Sequence, residues 1–205
     1  MNNNILGAEM ILFTTLKRDI DNIRKLLVKK QANFDKILLD SNEVIRHSGE
    51  LITMLHNIGS SSEKKIKDSL KSLQVQVQNL QKIDKGMEYY TLQAYQEYAE
   101  ARLLFEIKIN NKFLSNSSFG IKPEAYLLGI LDLVGELNRE FIEALRKNKV
   151  NEAEGYLGMM TQIYDLTRSL RFSSALIPDL RKKQDISRIL VERASSEFML
   201  FTSRR

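Results

Sequence analysis

Apolar residues recur at three- and four-residue steps through most of this chain, and that periodicity is what most restricts its fold. Ile11, Leu12, Leu16, Ile20, Ile23 and Leu27 follow it, as do Ile37, Leu38, Val44, Ile45, Leu51, Ile52 and Leu55. Only two prolines occur in 205 residues, and proline is the residue that most readily breaks helices and punctuates loops. Long helices are therefore predicted, and a loop-rich sandwich is disfavoured. A first helical stretch is expected over residues 5–57, with a break allowed near Asn33. Gly59 and the serines Ser60, Ser61 and Ser62 stop it, and a serine ahead of Glu63 and Lys64 starts a second helix.

The second helix carries Ile66, Leu70, Leu73, Val75, Val77 and Leu80 and is interrupted near Asp84–Gly86. A third is expected over residues 87–116, ended by the polar cluster 115–120. Pro123 suits the first turn of a fourth, where a missing N–H is harmless; Leu127, Leu128, Leu131, Val134, Leu137, Phe141 and Leu145 give it a broad apolar surface. A fifth helix is expected over 151–172 and a sixth from Pro178 to about Phe201. No strand-like alternation occurs, so residues 1–205 are expected to form one all-α bundle of six or seven helices.

Composition narrows the chemistry. There is no cysteine, and the two histidines are His47 and His56, which removes disulfides, thiol catalysis, thiolate zinc sites and three-histidine metal centres. Metal chemistry would need oxygen ligands and thus a hard cation such as Mg²⁺ or Mn²⁺. The segment 5–16 lacks the basic start and small-residue cleavage site of a signal peptide, and no apolar run reaches membrane-span length. A soluble cytoplasmic protein with no membrane partner is expected. The net charge of +5 divides unevenly: residues 1–86 hold 14 Lys/Arg against 10 Asp/Glu, residues 87–145 hold 5 against 9, and residues 146–205 hold 12 against 7. An acidic middle thus lies between basic flanks.

In that middle, Glu97 and Glu100 lie three apart and Asp132 and Glu136 four apart, and either spacing puts both members on one helix face. Asp132 is flanked by Ile130, Leu131, Leu133 and Val134, where a carboxylate is expensive to bury without a cation or hydrogen-bond donor. The short connection between the third and fourth helices favours antiparallel packing, which would bring both pairs together around a divalent cation, with Gly129 and Gly135 permitting close approach. Ordinary solvated positions on amphipathic helices are the alternative.

The block Gly120-Ile121-Lys122-Pro123-Glu124-Ala125-Tyr126-Leu127-Leu128-Gly129-Ile130-Leu131-Asp132-Leu133-Val134-Gly135-Glu136-Leu137-Asn138-Arg139 closely resembles the signature of the translin family, particularly its translin-associated factor X branch. The segment 96–101 resembles that branch's catalytic helix, and Thr53-Met54-Leu55-His56-Asn57-Ile58, Gln162-Ile163-Tyr164-Asp165 and Leu180-Arg181-Lys182-Lys183 add weaker similarity. The resemblance implies a translin-like bundle assembling into a closed, barrel-like homo-oligomer, commonly an octamer, around single-stranded nucleic acid. Translin itself binds RNA and DNA; the associated factor supplies a Mg²⁺-dependent ribonuclease centre. An acid at Asp132, a position that is apolar in translin proper, favours the nuclease branch. The connection between the third and fourth helices is short, as in compact prokaryotic and archaeal members.

On this basis the chain is expected to be an endoribonuclease acting on single-stranded RNA. Glu97, Glu100, Asp132 and Glu136 would serve as catalytic Mg²⁺ or Mn²⁺ ligands. Arg139 would contact phosphate or pair with Glu136 or Glu143. Lys64, Lys65, Lys67, Lys71, Arg181, Lys182 and Lys183 would guide the strand or form solvated faces. Tyr89, Tyr90, Tyr95 and Tyr98 would stack on bases or belong to core or interface. No catalytic part is expected of His56. The alternative function is a non-catalytic binder of single-stranded RNA or DNA; a third is a helical scaffold.

Overall fold

A computed structural model describes residues 2–59 and 62–203, with side chains from Phe13 onward. Ser60 and Ser61, and the side chains of Ile11 and Leu12, lie outside the described residues. Among the described residues six α-helices follow one another: α1 (Asn2–His56), α2 (Glu63–Ile83), α3 (Leu92–Asn110), α4 (Pro123–Arg146), α5 (Val150–Thr167) and α6 (Leu180–Thr202), with a 3₁₀ turn at Asn116–Ser118. Among the described residues there is no strand, and no helix is long and apolar enough to cross a membrane.

Local chemistry explains most boundaries. Ser62 caps α2, its hydroxyl accepting from the Lys65 amide. Pro123 opens α4. Helix α1 is unbroken at Asn33, whose amide nitrogen instead donates to the Ile83 carbonyl at 3.2 Å and ties α1 to the end of α2. The third helix starts at Leu92, later than expected, because buried Asp84 gathers the Thr91 hydroxyl (2.8 Å) and the Tyr95 phenol (2.6 Å) and holds residues 84–91 as turns. It ends at Asn110, earlier than expected, with Asn111 in the left-handed region at φ 50°. Helix α5 stops at Thr167, whose carbonyl accepts from the Gln184 side chain of α6 at 2.7 Å.

The helix directions correct one expectation. Gln96 of α3 bonds Asp132 of α4, and eight to twelve residues further on Lys108 bonds Glu140, so α3 and α4 run parallel rather than antiparallel. The connection makes this possible by folding back along α3. Arg102 donates to the Ser118 carbonyl at 2.8 Å, Phe119 meets the Tyr98 ring edge at 5.9 Å, and Gln81 donates to the Gly120 carbonyl at 2.7 Å. Residues 111–122, at up to about 3.3 Å each, cover the roughly 27 Å returned along a helix rising 1.5 Å per residue. The remaining side-chain contacts make α1, α3, α4 and α6 parallel, with α2 and α5 reversed between them.

The main core joins Ile37, Val44, Leu51 and Leu55 of α1 to Leu73 and Leu80 of α2, Leu103 and Leu104 of α3, Leu133, Leu137 and Phe141 of α4, and Met160 and Ala194 of α5 and α6. A smaller cluster of Leu128, Leu131, Ile177 and Leu180 pins the start of α6 to α4. From Phe13 to Ala32, α1 extends beyond this core with Phe13, Leu16, Ile20, Ile23 and Leu26 exposed.

Helices α3 and α4 touch at Gly129, where a Cβ would stand 2.7 Å from both the Ala99 Cβ and the Gln96 carbonyl oxygen. Gly155 of α5 has open space around it. Gly129→Ala should therefore destabilise the protein by about 1–3 kcal/mol despite alanine's higher helix propensity, whereas Gly155→Ala should be neutral or stabilising by up to about 1 kcal/mol. Denaturant titrations of the two variants check this contrast.

Candidate functional site

The close contact at Gly129 sets α3 and α4 so that their polar positions open into one groove, closed on its third side by α6. Along α3 the groove meets Gln93, Gln96, Glu97 and Glu100; along α4 it meets Leu128, Leu131, Asp132 and Gly135. Pro178, Lys182, Lys183 and Ile186 form the α6 side. The cavity measures about 740 Å³, within the range of small-ligand sites.

Helix α3 is enclosed on most sides, with Tyr95, Tyr98, Ala99, Leu103 and Leu104 buried around it, and Glu100 is only 7% exposed as a result. Burial pushes the Glu100 carboxyl up to about 9, helped by the negative charges of Asp132, Glu97 and Glu136 and opposed by Lys183. Glu97 is raised for the same reasons, burial first and Asp132 next. Asp132 has two partners: Gln96 Nε2 donates to Oδ2 at 2.6 Å, and the Lys183 ammonium forms an ion pair with Oδ1. A cation therefore already stands among the carboxylates, and it comes from α6.

Glu136 lies one turn beyond Asp132 and faces another network. His56 of α1 donates from Nε2 to Glu136 and from Nδ1 to Glu140 at 2.6 Å, while Lys108 pairs with Glu140. The His56 side chain is 4% exposed. Burial opposes its charge most strongly, yet the two carboxylates outweigh that and raise its pKa. Glu140 is held below the usual carboxylate range; its burial pulls the other way, but bonds from His56 and Lys108 prevail. The partners of His56 lie 80 and 84 residues away, so sequence spacing does not identify them.

The expected basic residues divide. Lys182 and Lys183 line the acidic groove, and Arg181 is exposed on the same turn of α6. Arg139 lines a separate cavity of about 400 Å³ with His56, Asn138, Glu140 and Glu143. Lys64, Lys65, Lys67 and Lys71 stand on the exposed side of α2, outside the groove, and Lys67 pairs with Glu63. Tyr95 and Tyr98 belong to the core, whereas Tyr89 and Tyr90 are exposed at the groove's end.

Among the described residues no group of three or more His, Cys, Asp or Glu side chains is arranged so that it could hold a metal ion. Glu97, Glu100 and Asp132 are all oxygen donors on one cavity, and their mutual repulsion is relieved by a cation.

A carboxyl whose folded-state pKa is raised favours the fold at low pH, and the advantage fades as pH climbs from the unfolded carboxyl range toward about 9. Glu100→Gln should accordingly stabilise the protein at pH 8 by on the order of a few kcal/mol, several degrees in Tm, and be near neutral at pH 4. Thermal melts of both proteins across that interval check it; equal shifts at both ends would show that Glu100 is not held protonated.

Similarity to known proteins agrees with this arrangement. Sequence shared with the Translin family covers residues 32–196. An uncharacterised protein of Methanocaldococcus jannaschii is 30% identical over 205 residues, spanning 98% of this chain and 91% of that protein. The structure of AfC3PO in complex with duplex RNA superposes with a TM-score of 0.81 at 26% identity, covering 91% of this chain and 98% of that one. The crystal structure of AfC3PO alone gives 0.79 at 28% identity, with the same coverage. Apo-NeC3PO shares the fold, with a TM-score of 0.75 at 24% identity over 89% of this chain and 96% of its own. With the family's sequence pattern running from α1 into α6 and the same helical fold in the solved AfC3PO structures, this chain belongs to the translin family.

Proposed function

We propose that this protein binds RNA inside a homo-oligomeric shell and hydrolyses it in the groove between α3, α4 and α6 with the help of Mg²⁺ or Mn²⁺. The observation that carries the reading is the meeting of Glu97, Glu100 and Asp132, from two helices, on one cavity with the Lys183 ammonium among them. These carboxylates would hold the cation, joined by Glu136 from the side of His56. Bound there, a divalent cation supplies charge neutralisation at phosphate and an activated water.

The chain's own residues account for the rest. Gln96 orients Asp132 through its 2.6 Å bond. Lys183 and Lys182 present ammonium groups to a phosphate entering the groove, with Arg181 on the same turn. Arg139 and the α2 lysines 64, 65, 67 and 71 offer phosphate contacts outside it. The exposed apolar residues of the α1 extension support assembly, since an uncovered stripe of this length favours association. That AfC3PO forms a complex with duplex RNA supports RNA as the ligand.

A second reading, a binder without catalysis, is favoured by one feature: Lys183 already neutralises Asp132. One experiment separates the two. End-labelled single-stranded RNA is incubated with the protein in Mg²⁺, in chelator, and with Asp132→Ala. Cleavage should vanish in chelator and fall at least about 100-fold in the variant, while retention on a gel persists and weakens steeply with salt. Cleavage that survives chelation, or is unchanged in the variant, overturns the carboxylate-metal reading. Retention of intact RNA in every divalent ion establishes the binder.

A further inference from the structure

We propose that Tyr89 and Tyr90 form a base-stacking subsite at the mouth of the acidic groove, which takes an unpaired nucleotide of the strand whose phosphate lies at the carboxylates. The inference rests on the RNA-binding reading and assigns the part of the ligand that the groove selects.

Four tyrosines fall between residues 89 and 98, and the structure separates them. Tyr95 and Tyr98 are buried at 4% and 2% exposure, and their hydroxyls are used by Asp84 and Arg102. Tyr89 and Tyr90 are 77% and 50% exposed, and both line the cavity that holds Glu97, Glu100 and Asp132. Adjacent large aromatics turned toward solvent call for a ligand.

The pair is rigidly mounted. The Met87 amide donates to the Asp84 carbonyl at 2.8 Å and the Tyr90 amide to the Met87 carbonyl at 3.0 Å, within the turn that Asp84 anchors. Behind it, Phe34 of α1 meets Tyr90 edge to face at 4.9 Å and 82°, and Tyr90 meets Tyr89 at 5.6 Å and 86°.

Spacing and charge fit a nucleotide strand. Along α3, the groove from Leu92 to Glu100 is about 12 Å long at 1.5 Å per residue, enough for a short stretch of strand. Lys182 and Lys183 lie across from α3 along that path. Aromatic faces beside cationic side chains are the usual equipment for single strands. A base must leave its duplex to reach such a face, so the subsite selects a single strand or an opened end over paired interior nucleotides.

The chain has seven tyrosines and no tryptophan, so stacking is visible as quenching of tyrosine emission. The full-length protein in chelator is titrated with a labelled oligoadenylate and with an abasic oligomer of equal length and charge. The base-bearing strand should bind at least about fivefold tighter and quench emission. Tyr89→Phe/Tyr90→Phe should keep that preference and Tyr89→Leu/Tyr90→Leu should abolish it, with the mass by light scattering unchanged. Tyr89→Leu alone, at the more exposed ring, guards against a folding effect and should lose part of it. If both strands bind wild type and the Leu variants alike, the subsite is overturned while RNA binding stands. If neither strand binds at low salt, the RNA reading falls and the subsite with it. If the Leu variants change the assembly's mass, the tyrosines belong to a contact between copies, which also overturns the proposal.

Discussion

The approach of α3 to α4 at Gly129 and Ala99 is the constraint on which the rest of the arrangement depends. A Cβ at position 129 would stand 2.7 Å from the Ala99 Cβ and the Gln96 carbonyl oxygen, so this approach needs a glycine. That contact brings Glu97 and Glu100 to the level of Asp132, and the smaller core cluster under Leu128 and Leu131 then seats α6 so that Lys183 reaches Asp132. Parallel packing of the two helices is equally necessary, and the folded-back segment 111–122 provides it. Antiparallel helices of the same sequence would align other residues.

Packing and charge oppose each other at this place. A tight helix pair excludes water from Glu100, and burying a carboxylate among other carboxylates disfavours its ionised form. The protein meets this in two ways: Glu100 keeps its proton near neutral pH, and Lys183 supplies a positive charge. One turn away, His56 bridges Glu136 and Glu140, and Lys108 supplies a second cation. The two sites share a helix but differ in character. In the His56 network both carboxylates are paired by His56 and Lys108, whereas in the groove Lys183 pairs with Asp132 while Glu97 and Glu100 line the same cavity.

Much of this is legible in the sequence because it depends on local chemistry. The serine cap of α2, Pro123 at the head of α4, the interruption at Asp84–Gly86 and the placing of Glu97 and Glu100 on one face of α3 all follow from nearby residues. What escapes depends on distant ones. The helical direction of α4 is set by Arg102 and Gln81 gripping the connection, and no periodicity records that. The late start of α3 follows from Asp84 collecting two hydroxyls. Lys183, read from sequence as a strand-guiding residue, is also the ion-pair partner of an acid 51 residues earlier. Tyrosine spacing alone does not separate the buried pair 95 and 98 from the exposed pair 89 and 90; enclosure of α3 does.

We propose the α3–α4–α6 groove as a cation site built from carboxylates. Titration of the metal-free protein with Mn²⁺, following the electron paramagnetic resonance signal of the unbound ion, tests it without RNA or turnover. The account predicts that the wild-type protein removes the signal with an affinity at least about tenfold higher than that of Asp132→Asn. Equal retention of Mn²⁺ by the two proteins, or none by either, would contradict it.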